Sequence, residues 1–159
     1  MNEHPGVGRK APGFSLFDTE RRIRTLDELL DNKLVIAFFP GAFTSVCTKE
    51  MCTLRDSITG LEALGSSVVG ISVNDPFTNA AFAERNAINF PLLSDYKRVV
   101  AKAYGVDLLD FAGMKGYTAA KRSIFVVDRD GIIRYKWVTE DQSIEPDYNE
   151  LDGALAGIE

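Results

Sequence analysis

Residues 34–39 read Leu-Val-Ile-Ala-Phe-Phe, a continuous apolar run bounded by Lys33 and Pro40. A run of that length with no polar alternation fits a central strand covered on both faces. Beyond it, Met51, Leu54, Ile58 and Leu61 recur at three- and four-residue spacing, with Lys49, Arg55, Asp56 and Glu62 off the stripe, which predicts an amphipathic helix. A second apolar run, Val-Val-Gly-Ile-Ser-Val, follows at 68–73. Strand, helix and strand in this order imply parallel pairing through a right-handed crossover. The chain is thereby committed to an α/β architecture.

The other segments extend that unit. Thr25 and Glu28 form a capping box that opens a short helix over 26–30. Asn74-Asp75-Pro76 supplies a cap and a first-turn proline for a helix over 77–88, followed by a short strand at 91–93. Residues 96–104 read as a further short helix ended by Gly105, and 124–127 and 132–138 flank Asp-Arg-Asp-Gly as an antiparallel hairpin. Tyr148, Leu151, Leu155 and Ile158 make the apolar stripe of a closing helix. The sum is an α/β sandwich with a mixed central sheet flanked by helices, compatible with a thioredoxin-like arrangement. Gly6, Gly8 and Gly13 read as an extended, mobile arm, since no strand precedes them and no phosphate-loop Lys follows. The stretch 107–121 has no clear period, and such loops are functional or disordered.

With 159 residues, 45% of them hydrophobic and 26% charged, the chain is long enough for one core, and 1–159 is expected to be a single domain. A net charge of −5 and scattered basic pairs leave no footprint for nucleic acid or anionic lipid. The first residues, MNEHPGVGRK, hold no apolar leader, and nothing approaches the roughly 20 apolar residues that span a bilayer. A soluble, cytoplasmic protein is expected, with no membrane partner. Thiols are kept reduced there, so two cysteines are reactive, metal-bound or inert before they are a standing disulfide.

Both cysteines lie just past the first apolar run, in Pro-Gly-Ala-Phe-Thr-Ser-Val-Cys-Thr-Lys-Glu-Met-Cys at 40–52. Cys47 sits where a loop turns into a helix, and a helix N-terminus favours thiolate over thiol. Cys52 is rotated about 100° from Met51, toward Asp56 and Thr59, and should be partly exposed. Position alone leaves it either inert or reactive. Two cysteines and His4, a surface residue by expectation, are too few for a zinc or iron–sulfur site or a Cys-His pair. The C-x-x-x-x-C spacing also departs from the C-x-x-C of thioredoxin-type exchange.

Pro40, Thr44 and Cys47 fit the P-x-x-x-T-x-x-C signature of peroxiredoxins, thiol peroxidases on a thioredoxin-like fold. The segments KAPGFSLFD, FPLLSD, YGV and KRSIFVVDRDGIIRY resemble peroxiredoxin segments in the same order. The chain is most similar to the bacterioferritin-comigratory and alkyl hydroperoxide reductase E groups. The resemblance implies that Cys47 is the peroxidatic cysteine, that Thr44 orients thiolate and peroxide, and that Arg122 stabilises the thiolate and the charge developing on the peroxide oxygens. It further implies that Pro40 shields the thiolate, Glu50 helps hold the arginine, and Cys52 is the resolving cysteine of an intrachain disulfide. Many relatives have proline where this chain has Ser45.

The same resemblance implies a peroxide substrate and a reductant such as thioredoxin, glutaredoxin or a low-molecular-weight thiol. No bound cofactor is implied. It also implies a homodimer formed through residues 40–43 and the segment near Phe77. Two other classes stay open at this point: a thioredoxin-fold binding or chaperone module, and a disulfide isomerase-like oxidoreductase.

Overall fold

The computed structural model describes residues 5–158, with the side chains of Cys47, Ile58 and Thr59 excepted; the expectation for His4 lies outside the described residues. In chain order the elements are β1 (Ser15–Phe17), β2 (Ile23–Thr25), α1 (Leu26–Leu29), β3 (Lys33–Phe38), α2 (Ser45–Ala63) and β4 (Ser66–Ser72). They continue with α3 (Pro76–Arg85), β5 (Leu92–Ser94), α4 (Val99–Ala103), β6 (Asp107–Leu108), β7 (Ala119–Ala120), β8 (Ser123–Val127), β9 (Ile133–Val138) and α5 (Tyr148–Ala156).

Seven strands form one sheet in the order β2-β1-β5-β4-β3-β8-β9. β3 lies between β4, its parallel partner from Lys33↔Ser66 to Phe38↔Ile71, and β8, which runs antiparallel to it. This is the mixed sheet that the strand, helix and strand pattern requires. The apolar run alternates across it. Leu34, Ile36 and Phe38 join one buried cluster with Val100, Ala101 and Tyr104, whereas Val35, Ala37 and Phe39 join a second with Met51, Leu54, Phe82, Leu151 and Leu155. Each fully buried side chain of this size contributes about 1.5–3 kcal/mol of transfer free energy, so β3 anchors both layers.

α2 lies close on the sheet because β4 carries Gly70 beneath it. A Cβ at Gly70 would come within 2.7 Å of Leu92 Cδ2, 3.3 Å of Phe39 Cε1 and 3.5 Å of Met51 Sδ. Local chemistry sets the other element ends. Thr25 Oγ1 accepts from the Glu28 N–H and the Glu28 carboxylate accepts from the Thr25 N–H, the expected capping box. Asp75 caps α3 at Thr78 N, with Pro76 in its first turn.

Several expectations need correction. The helix expected at 96–104 starts at Val99, because residues 95–98 close a turn (Arg98 N to Asp95 O, 2.9 Å) with Arg98 at φ 62°; the Asp95 carboxylate then accepts from Val100 N and Ala101 N. α3 ends at Arg85, three residues before the expected Ile88, as Ala87 turns to φ 50°. The stretch 107–121 holds the small β6–β7 pair and a 3₁₀ turn at Phe111–Gly113. The glycine arm is neither extended throughout nor loose: residues 6–9 close a turn (Arg9 N to Gly6 O, 3.1 Å) with Gly8 at φ 89°, and Gly8 N donates to Ile133 O, Ile133 N to Arg9 O and Ala11 N to Gly131 O. The outer edge of β9 offers those groups, and the arm satisfies them.

Candidate active site

β3 delivers the chain to the site and proline ends the delivery. Phe39 still donates to Ile71 O, but Pro40, buried at the next position, has no N–H to extend the ladder. Ala42 N is then taken by Asn74 Oδ1 at 2.8 Å, and Phe43 turns through φ 67°. Thr44 begins α2. Its carbonyl accepts from Thr48 N at 2.9 Å, and its hydroxyl donates to Gly41 O at 2.9 Å. The Thr44 side chain therefore does not cap the helix. With its proton on Gly41, the hydroxyl oxygen remains an acceptor.

The first-turn amides of α2 have no intrahelical partner, no side-chain cap and no acidic residue among them. Cys47 occupies the third position of this turn; the contacts expected of its thiolate lie outside the described residues. In front of the helix start is a cleft of about 230 Å³ lined by Pro40, Thr44, Ser45, Val46, Phe111, Arg122, Gln142 and Ser143. A helix N-terminus and a guanidinium at one small cleft make a setting that favours an anion.

Arg122 is a buried charge, 2% exposed. Its Nη1 donates to Glu50 Oε1 at 3.1 Å. Its Nε and Nη2 donate to the Gln142 carbonyl at 3.1 and 3.0 Å. Glu50, fully buried behind it, has an Oε2 without a hydrogen-bond partner among the described residues. Burial pushes the Glu50 carboxyl up to about 8, against the downward pull of the Arg122 charge and hydrogen bond. Nearby, Lys49 pairs with Glu145 at 3.0 Å, and Tyr148 donates to the same carboxylate at 2.8 Å.

The structure thus brings Pro40, Thr44 and Arg122 to one cleft and puts Glu50 directly behind the arginine. Cys52 does not line that cleft. It lies half-buried on α2 with its Sγ 3.8 Å from Asn86 Oδ1, in keeping with the partial exposure expected of it. Its expected direction toward Thr59 involves a side chain outside the described residues. Sequence reasoning missed Gln142, Phe111 and Asn74. Gln142 lies in a connection without period, Asn74 reads in the sequence only as part of a helix cap, and the one signal for Phe111 was the aperiodic stretch itself. No group of three or more His, Cys, Asp and Glu side chains that could hold a metal ion is found among the described residues.

A family profile described as AhpC/TSA family matches residues 7–136. Alkyl hydroperoxide reductase E of Mycobacterium bovis is 40% identical over 132 residues, 81% of this chain and 82% of that one. Among solved structures, peroxidoxin BcpB of Mycobacterium tuberculosis superposes with a TM-score of 0.82 at 33% identity and covers 96% of both chains. A peroxiredoxin-like protein of Aquifex aeolicus gives 0.85 at 25% identity, over 97% of this chain and 88% of that one.

Proposed function

The chain belongs to the AhpC/TSA family, and from that premise we propose that it is a thiol-dependent peroxidase with Cys47 as its nucleophile. The observation that carries the residue assignment is the pairing of an uncapped helix start with the buried Arg122 across the cleft that Pro40 and Thr44 line. A thiolate at the third position of α2 is stabilised there by amides and guanidinium together, which lowers its pKa below the ordinary value of about 8.5. The substrate is a peroxide, hydrogen peroxide or an organic hydroperoxide.

The thiolate sulfur attacks one peroxide oxygen, the O–O bond breaks, and the other oxygen leaves with the electron pair and takes a proton as water or alcohol. Cys47 is left as sulfenic acid. Arg122 offsets the charge on the departing oxygen, Thr44 orients the reacting atoms, and Pro40 excludes water. Glu50 holds one edge of the guanidinium.

Cys52 then condenses with the sulfenic acid, releasing water and forming an intrachain disulfide. A thiol reductant supplies two electrons to restore both thiols; thioredoxin is the donor proposed, with glutaredoxin or a small thiol as substitutes. The helix has to loosen first. Positions five apart on an α-helix have Cα atoms about 8.6 Å apart, beyond the roughly 7 Å a disulfide spans. Thr48, Thr53 and Ser57 hydroxyls back-bond to carbonyls four residues earlier along this helix (Thr44, Lys49 and Thr53), a pattern that weakens helices slightly. No helix among the described residues is long and apolar enough to cross a membrane, and a cytoplasmic location is proposed. Phe43 and Phe77, 51% and 66% exposed, support a homodimer through these segments.

The test is peroxide consumption by the reduced protein. Wild type should turn over, Cys47→Ser should be inactive, and Arg122→Met should be strongly slowed with its fold retained. Exchange on a protein disulfide without peroxide, undiminished in Cys47→Ser, would replace this reading by a different oxidoreductase.

A further inference from the structure

We propose that Gln142 is a positioning residue that aims the Arg122 guanidinium. The inference rests on the reading of Arg122 as the partner of the Cys47 thiolate. An arginine side chain is long and rich in rotamers, so burial alone does not decide where its fork points. Here one residue decides much of it. The Gln142 carbonyl accepts from both Nε and Nη2, at 3.1 and 3.0 Å, which fixes one edge of the planar group. The Gln142 side chain reaches back, its Oε1 accepting from the Arg122 backbone N–H at 2.6 Å.

The loop is closed on itself around that grip. Gln142 Nε2 donates to Thr139 O at 3.0 Å, and Thr139 N donates to Arg122 O at 3.2 Å. Thr139 Oγ1 donates to Asp141 O at 2.9 Å. The backbone amide, backbone carbonyl and guanidinium of Arg122 are therefore all tied to residues 139–142. The chemistry of the acceptor matters. A carboxylate on that edge would orient the guanidinium and also cancel its charge, whereas a neutral carbonyl orients it and leaves the charge for an anion at the start of α2. The Gln142 amide holds that carbonyl in register with the bend that carries Arg122 just ahead of β8.

The experiment titrates the Cys47 thiolate by ultraviolet absorbance in a Cys52→Ser background and measures the rate of peroxide reduction and the melting temperature. Gln142→Ala should raise the thiol pKa by about one unit and slow the reaction about tenfold, in the direction of Arg122→Met, with the melting temperature nearly unchanged. Gln142→Asn, which keeps a neutral amide able to accept from the Arg122 N–H and to donate toward Thr139 O, should recover part of both. Should Gln142→Ala fail to fold, Gln142→Met, of similar volume and without the acceptor, carries the same expectation. A wild-type thiol pKa in Gln142→Ala alongside a raised one in Arg122→Met overturns this inference and leaves the arginine reading intact. No shift in Arg122→Met overturns both. Equal slowing in the Ala and Asn variants with unmoved acidity assigns Gln142 to packing and also overturns it.

Discussion

Replacing Glu50 by Gln keeps the volume and the oxygen that accepts from Arg122 Nη1, and removes only the ability to titrate. In the native protein burial is the dominant influence on this carboxyl, raising it from 4.5 to about 8. The folded state thus holds a proton that the unfolded chain gives up. The stability Glu50 contributes is fully present below pH 4.5 and is lost as the pH climbs toward 8. Each unit in that window costs at most about 1.4 kcal/mol, which caps the whole effect at about 5 kcal/mol. Gln has no such window. Urea denaturation at pH 5, 6, 7 and 8 should show wild type losing stability relative to Glu50→Gln with a slope approaching that limit. An unpartnered amide beside Arg122 costs a constant amount and drops out of the slope. Parallel pH profiles for the two proteins would refute the reasoning, since they would mean that Arg122 keeps Glu50 ionised throughout.

Thr44→Ser should retain most peroxidase activity and the nearly isosteric Thr44→Val should lose about a hundredfold, because the role is carried by the hydroxyl; equal steady-state rates would reduce it to packing. Wild type given one peroxide equivalent should show Cys47 and Cys52 linked within one chain by peptide mapping, with faster amide exchange across 47–52 in the oxidised form. Cys52→Ser should then accumulate more sulfinic acid at Cys47 by intact mass, and cycling with thioredoxin at the wild-type rate would remove Cys52 from the scheme. Gly70→Ala should destabilise by about 1–3 kcal/mol in the same denaturation assay, since a methyl there lies 2.7 Å from Leu92 Cδ2 and presses toward Met51 on α2.

Much of what the residues announced locally, they also formed. The run at 34–39 had to be a doubly covered strand because every position is apolar, and the Thr25–Glu28 box and the Asp128–Gly131 turn are chemistry contained in a few neighbouring residues. Short elements had no room to announce themselves: β1 and β2 are three residues each and β6 and β7 two, below the length at which alternation can be told from chance. The site divides the same way. Spacing placed Glu50 one helical turn from Cys47, but its complete burial depends on Arg122, 72 positions away. Gln142 was invisible for a related reason. What it gives the guanidinium is a main-chain carbonyl, which every residue possesses.

The tether at the N-terminus closes a border. β9 is the outermost strand on its side of the sheet, and by using both the N–H and the C=O of Ile133 the arm occupies part of the row of groups another chain would need for strand addition. Lys136 adds to this by reaching the Pro5 carbonyl at 3.1 Å, fastening the arm farther along the strand. Cutting the chain back to Ala11 would leave the cleft's residues in place and uncover that border. The expected result is a change in colloidal behaviour before any change in turnover, seen as slow edge-to-edge association of otherwise active molecules.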